Sequence, residues 1–164
     1  MYDLVYPRQT VLVSCRGKTV HFGKEIIKDN LIAVDWHMPL SSSPMLYAVA
    51  ISNNRFSYEL IHKSCVFGVN FMPYELLKEV LFCGRNSGRM QNKFEKSGLT
   101  QIEAKKIDCC MVNEACAQLE CEVIEEITTG DHIQFIGKVL YSGVNRQTKR
   151  LFHIIGDDFT TTIK

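Results

Sequence analysis

The sequence has no excess of either charge. It carries 19 Lys and Arg against 18 Asp and Glu, a formal net charge of +1. Proteins that hold nucleic acid through its phosphates carry a basic excess or stripe, so nucleic acid is not an expected partner. No window approaches the roughly 18 uninterrupted apolar residues of a spanning helix, so no membrane span is expected. The 4 prolines and 10 glycines form no linker, and there is no internal repeat or charge block. That argues for a single domain over residues 1–164. No apolar signal-peptide core follows Met1, because Asp3, Arg8 and Arg16 interrupt the start. The 7 cysteines lack the paired C-x₂-C spacing of zinc or iron–sulfur ligands, so no metal is expected. A leaderless chain with an odd thiol count reads as cytoplasmic and reduced.

What is present is ordinary for a globular domain: 164 residues, 46% hydrophobic and 23% charged. A chain of this size buries about 68–70% of its unfolded surface. Strands are expected at Thr10–Cys15, Leu31–Trp36, Leu46–Ile51 and Val66–Phe71, where apolar and β-branched residues cluster. Ser57 is positioned to cap a short helix through His62, and Pro73 suits the first position of the next helix. Gly84 to Gly88 breaks that helix, and a further short helix from Met90 to Lys96 ends at Gly98. Cys116 to Thr128 alternates as a long strand, with Ala117, Leu119, Cys121 and Val123 on one side and Gln118, Glu120 and Glu122 on the other. Thr129-Gly130-Asp131 turns it back into an antiparallel strand, Ile133 to Val144, and Leu151–Ile155 is the last strand. The fold class is therefore mainly β with helical insertions, a decorated barrel in preference to alternating βαβ units.

Three segments could carry chemistry. Ser52, Arg55 and Ser57 converge where a strand gives way to a helix. A helix start offers free N–H groups and a positive dipole end, so hydroxyls and a guanidinium there make a phosphate cradle. The plainer alternative is a helix cap beside a solvated charge. Cys83 to Lys93 (CGRNSGRMQNK) sets two glycines around Ser87 in a loop that a ligand could approach. It has neither the Walker nor the dinucleotide-fold glycine spacing, and an ordinary helix stop also accounts for it. Trp36 to Ser41 (WHMPLS) places the single tryptophan beside Met38 and Pro39. It could wall a flat ring or simply fill the core. His132 follows Gly130-Asp131 and could reach a cleft. No histidine shows the oriented base or nucleophile that catalysis needs, so no catalytic residue is assigned. A vicinal redox pair at Cys109–Cys110 has no supporting pattern.

Seven short motifs occur in one order: WHMPLSSSP from Trp36, AISNNRFSYELI from Ala50, VNF from Val69, CGRNSGR from Cys83, KF from Lys93, E-A-x-A-x-L-E-C from Glu114 and G-D-H-x-x-F-x-G-K-V from Gly130. Together they resemble the flavin reductase-like FMN-binding split-barrel family, in its flavoredoxin and ferric-reductase branch, from about Thr10 to Val144. The resemblance implies a split β-barrel of Greek-key type, a homodimer and noncovalent FMN in each protomer. It places Asn30 and Trp36 beside the flavin ring and Met38, Pro39, Leu40 and Ser41 at its polar edge. Ala50, Ile51 and Ser52 fall at the strand end beneath the ring. Arg55, Ser57 and Tyr58 fall on the phosphate side, and Cys83, Gly84, Ser87 and Gly88 in the glycine loop. Lys93 falls near the phosphate and His132 near the flavin or a nicotinamide. The implied function is an NAD(P)H-dependent flavin or ferric reductase, with NAD(P)H as co-substrate. The alternative is a flavoredoxin-type electron carrier reduced by a partner protein. A bound flavin would carry the redox chemistry itself, which explains the absence of a catalytic dyad. Cys109-Cys110-Met111 stands where relatives often have a proline-containing apolar connection, and the tail after Gly156 has no counterpart in the resemblance.

Overall fold

The structure, a computed structural model, describes residues 2–162. A short helix, α1 (Tyr2–Val5), and a two-residue strand, β1 (Arg8–Gln9), lead into an antiparallel hairpin of β2 (Val11–His21) and β3 (Lys24–Val34). β2 is buried on both faces: Val11, Val13 and Cys15 join one core and Leu12 another. A strand covered on both sides reads as a continuous apolar run, which is why TVLVSC was legible. β3 begins at Lys24, well before the expected Leu31. It lies at a sheet edge, so its polar first half needs no apolar pattern. β4 (His37–Ser42) pairs with β5 (Met45–Ser52) at the opposite edge. The residues after Trp36 thus form a further strand, with a turn at Ser43-Pro44. Pro39 is tolerated because an edge strand has a side that donates to no neighbour, and the register slips between Pro39 and Ser41.

Helices fill the middle of the chain. α2 (Phe56–Ser64) leads to β6 (Val66–Phe71), then a 3₁₀ turn at Tyr74–Leu76, α3 (Leu77–Arg85) and α4 (Lys93–Ser97). Ser57 does not cap α2; Arg55 holds that position and no side chain caps it. Pro73 precedes the 3₁₀ turn and does not open an α-helix. Gly84 lies inside α3, which Val80 and Cys83 anchor in the core through to Arg85. α4 starts at Lys93, not Met90, because Asn92 accepts from the N–H groups of Phe94 (3.0 Å) and Glu95 (3.3 Å). α2 rides directly on β2. A Cβ at Gly17 would stand 2.8 Å from the Leu60 carbonyl oxygen, so only glycine allows the helix so close.

A small pair, β7 (Gln101–Glu103) and β8 (Cys110–Val112), precedes the long hairpin of β9 (Ala117–Thr129) and β10 (His132–Val144). β11 (Leu151–Ile155) pairs with β1 on one side and with β12 (Asp158–Thr161) on the other. The main sheet has 7 strands in the order β3-β2-β6-β9-β10-β5-β4, a Greek-key kind of order in which β5 sits beside β10. It curls until the Trp36 carbonyl, just past β3, accepts from Ala50 N on β5 (2.8 Å). One core lies inside the curl around Phe67 and Phe135; the second lies under α3 and β8. The alternation of β9 holds, but Gln118 and Glu120 are buried by that second core. Gln118 Nε2 donates to Val112 O (2.8 Å), and the Glu120 carboxylate accepts from Lys105 N and Lys106 N (2.8 and 2.6 Å). Among the described residues no helix is long and apolar enough to cross a membrane.

Candidate functional site

The start of α2, the end of α3 and the start of α4 meet the edge strand β3 around a cavity of about 440 Å³. Asn30, Arg55, Ser57, Ser87, Gly88 and Lys93 all line it. The first N–H groups of a helix have no i−4 partners; that of Tyr58 donates to the Arg55 carbonyl (3.0 Å), and no side chain caps α2. Ser57, the second residue of the helix, is buried; its Oγ accepts from Asn30 Nδ2 (2.8 Å). Asn30 Oδ1 is buried without a partner. Gly88 keeps this corner open, because a Cβ there would collide with the Asn30 amide. Lys93 is only 4% exposed. Its Nζ donates to the carbonyls of Leu31 (2.6 Å) and Cys83 (2.7 Å), and among the described residues no carboxylate pairs with it. Burial pushes its pKa down to about 8, against smaller opposing effects of the Cys83 and Cys15 thiols. A buried charge is costly unless it is balanced, so an anion entering this cavity would stabilise the Lys93 ammonium.

A second cavity of about 400 Å³ continues from the first, sharing Ile32, Asn54, Arg55 and Gly84 with it. Trp36, Ala50, Ile51, Ser52 and His132 line this end. Trp36 packs against His132 with ring centroids 4.8 Å apart. His132 Nδ1 lies 2.7 Å from Asp131 Oδ1, and that contact holds the Asp131 carboxyl below its usual range. On its far side Trp36 borders a recess of about 140 Å³ that also takes in Met38 and Ala50. Trp36 is therefore a partition between two cavities and not a core residue.

The cleft thus gathers Asn30, Trp36, Ala50, Ile51, Ser52, Arg55, Ser57, Gly84, Ser87, Gly88, Lys93 and His132. Pro39, Leu40 and Ser41 lie on edge strand β4 and line none of these three cavities. Tyr58 stacks on His62 (5.5 Å) and packs against the inner core. Cys83 contributes its carbonyl through Lys93, while burial pushes its thiol up to about 11. Sequence reasoning did not single out Asn54, Arg85 and Asn86, although they lie inside the quoted motifs, nor Ile32 in the strand before Trp36. It also missed Tyr6, Asp35 and His153 at the ring end, which only the tertiary fold brings together. Cys109 and Cys110 are buried in the second core, and Cys109 Sγ donates to the Cys110 carbonyl (3.4 Å). The Cys110 thiol is raised well above its ordinary value by its Cys109 neighbour and by burial, which disfavours thiolate chemistry. All 7 cysteines are free, and among the described residues no group of three or more His, Cys, Asp or Glu is placed to hold a metal.

A continuous cleft with an anion corner at one end and an aromatic partition at the other suits a phosphorylated flat ring. The flavin reductase like domain model matches residues 1–157. The chain belongs to the flavin reductase-like family. Among curated relatives, a ferric-chelate reductase (NAD(P)H) of Archaeoglobus fulgidus is 27% identical over 113 residues, 68% of this chain and 66% of that protein. Among solved structures, flavoredoxin of Desulfovibrio vulgaris (Miyazaki F) superposes with a TM-score of 0.84 at 20% identity, over 98% of this chain and 90% of that one. The FMN-binding protein of Thermus thermophilus with bound 1-cyclohex-2-enone gives 0.82 at 22%, over 98% and 89%. These two likenesses establish the fold: mainly β, of the kind found in FMN-binding flavin reductase-like proteins.

Proposed function

We propose that the chain binds FMN noncovalently and acts as an NAD(P)H-dependent flavin or ferric reductase. The observation that carries this reading is the anion corner around Lys93, continuous with the cavity that Trp36 walls. Its residues fit a phosphate group. If the Asn30 amide turns over, Ser57 Oγ donates to Oδ1 and the Nδ2 hydrogens face the cavity, so the orphaned acceptor becomes a phosphate donor. Asn30, Ser57, Lys93 and the start of α2 would hold the phosphate, and Trp36, Ala50 to Ser52 and His132 would border the ring. Bound there, FMN would supply hydride acceptance from a nicotinamide and electron release to an acceptor. The chain's own part is to bind it, orient it and exclude water from one face. The matching test compares FMN with riboflavin: tight FMN binding at about one per chain and much weaker riboflavin binding are expected. Equal, weak affinity for both sinks the anion corner. Anaerobic bleaching of the flavin absorbance by NADH or NADPH is expected of a reductase. A loaded protein that neither nucleotide bleaches would instead be an electron carrier reduced by a partner protein.

We further infer a homodimer. Val20 (65% exposed), Phe22 (86%) and Ile27 (65%) on the β2–β3 hairpin, with Ile124 (53%) and Val144 (70%) on β9–β10, leave more apolar surface bare than a monomer of this size needs. Light scattering is expected to give twice 18.8 kDa; a mass of one chain at micromolar concentration would refute it.

A further inference from the structure

We propose that Arg89 is a positioning residue for the flavin phosphate: it clasps the loop 86–92, between α3 and α4, onto the start of α2, and so holds Ser87 and Gly88 at the anion corner. The inference rests on the flavin reading above and concerns the same site. The two ends of this loop are fixed by their helices: Asn86 N donates to Phe82 O (3.1 Å), and Asn92 caps α4. Between them, among the described residues, the hydrogen bonds, ion pair and ring contact that tie the loop to the rest of the chain all pass through Arg89. Its guanidinium lies over the Phe56 ring, 4.6 Å from the centroid, and its Nη2 donates to Glu59 Oε2 (2.8 Å). Phe56 and Glu59 both belong to the first turn of α2. The Arg89 carbonyl accepts from Lys28 Nζ on β3. The loop is thus pinned to both α2 and β3.

Arg89 does not itself line the cavity. Its neighbours Ser87 and Gly88 do, and so does Phe56, on which it stacks. Gly88 is packed so close to Asn30 that a Cβ would collide with Oδ1, the buried acceptor without a partner. Where the clasp holds Gly88 therefore decides how the Asn30 amide meets a phosphate. Glu59 is anchored in its turn, because its Oε1 accepts from Thr19 Oγ1 on β2 (2.9 Å) and from Lys63 Nζ (2.9 Å). Burial raises the Glu59 carboxyl, but its bonds from Lys63, Arg89 and Thr19 outweigh that and bring it down to about 2, so the clasp stays charged. An ion pair whose arginine is half exposed adds little to global stability. Its effect is local: it orders a short loop in advance, a cost that otherwise falls on the ligand. A plain charge would act differently. If Arg89 only drew the phosphate in from a distance, the negative charge of Glu59 beside it would oppose binding. In a clasp Glu59 aids binding, because it is what Arg89 grips. The two accounts give Glu59→Gln opposite signs.

The test measures FMN affinity and release rate by flavin fluorescence for wild type, Arg89→Met, Glu59→Gln and the double variant, with riboflavin as control. Amide hydrogen exchange across residues 86–92 is followed in the same full chains freed of flavin. Met keeps an apolar stem over Phe56, and Gln keeps an acceptor for Thr19. Each single variant should bind FMN about three- to tenfold more weakly, through faster release, and change riboflavin affinity little. The double variant should lose no more than the weaker single one, since both break the same contact. Exchange in the loop should quicken in every variant while that of β9 holds. Glu59→Gln that tightens FMN, or leaves it unchanged while Arg89→Met weakens it, overturns the clasp and makes Arg89 a remote charge. Unchanged loop exchange, or equal weakening of riboflavin, overturns it too. Wild-type protein that takes up no FMN overturns the flavin reading itself, and the phosphate role of Arg89 with it.

Discussion

Lys93 offers the sharpest test of the anion corner. Its pKa falls from the usual 10.5 to about 8 because burial penalises the charged amine. At about 1.4 kcal/mol per unit, the buried cation costs the fold on the order of 3 kcal/mol. Below pH 8 both folded and unfolded chains hold the proton, so that cost is present in full. Between about 8 and 10.5 the unfolded chain binds more protons at this site, so Lys93 makes stability rise with pH. Buried thiols such as Cys83, pushed up to about 11, pull the other way in the same range. The readout is therefore the difference between wild type and Lys93→Met in denaturant titrations at pH 7, 8, 9 and 10. Met keeps most of the apolar stem, and deleting the amine removes its bonds to Leu31 O and Cys83 O at every pH alike. Wild type should therefore gain on the variant as pH climbs from 8 to 10.

Phosphate should reverse the shift. With a dianion beside it, Lys93 returns to its charged form. FMN binding at pH 8.5 should then take up about three-quarters of a proton, and riboflavin binding none. Calorimetry in two buffers of different ionisation enthalpy measures this directly. Lys93→Met should bind FMN about ten- to a hundredfold more weakly, the loss of one charge-assisted contact. No proton uptake, or equal weakening of both ligands, would mean that Lys93 only ties β3 to α3.

Three further outcomes follow from contacts already described. Ser57→Ala should weaken FMN at least about tenfold while sparing riboflavin in parallel fluorescence titrations; equal weakening would give Ser57 a purely structural role. Trp36 is the only tryptophan, so its emission should be strongly quenched by saturating FMN. Trp36→Leu, which removes a ring contact worth roughly 0.5–1.5 kcal/mol, should weaken FMN up to about tenfold; unchanged emission would place Trp36 away from the flavin. Gly17→Ala puts a Cβ against the Leu60 backbone, which no rotamer change relieves. It should cost about 1–3 kcal/mol, a melting point lower by several degrees in calorimetry; an unchanged midpoint would mean that α2 moves freely on β2.

The parts of the fold legible in the sequence are those where burial writes a pattern. β2, β5 and β6 read as strands because both faces are covered or one face is wholly apolar, and the β9–β10 hairpin read through its alternation and its Gly130 turn. The edges did not. The first half of β3 is polar because nothing covers it, and β4 carries Pro39 because an edge permits it. The helix starts slipped for a related reason. Ser57 has the chemistry of a cap, but its hydroxyl is turned inward to Asn30, 27 residues away. No local rule foresees that, since local rules assume a side chain serves its own helix.

The same division runs through the cleft. The residues around Lys93 cluster within short motifs at three helix ends, so chain order alone brought most of them forward. The ring-side wall is assembled by Asp35 from Tyr6, 29 residues before it, and His153, 118 residues after it. Each of those residues is unremarked in its own stretch: a tyrosine before a proline, an aspartate after an apolar strand, a histidine in a terminal hairpin. Their meaning comes from one carboxylate collecting three donors at a cavity mouth. The helix-end side of the cleft is therefore written locally, and the side around Asp35 is written globally, by contacts between residues far apart in the chain.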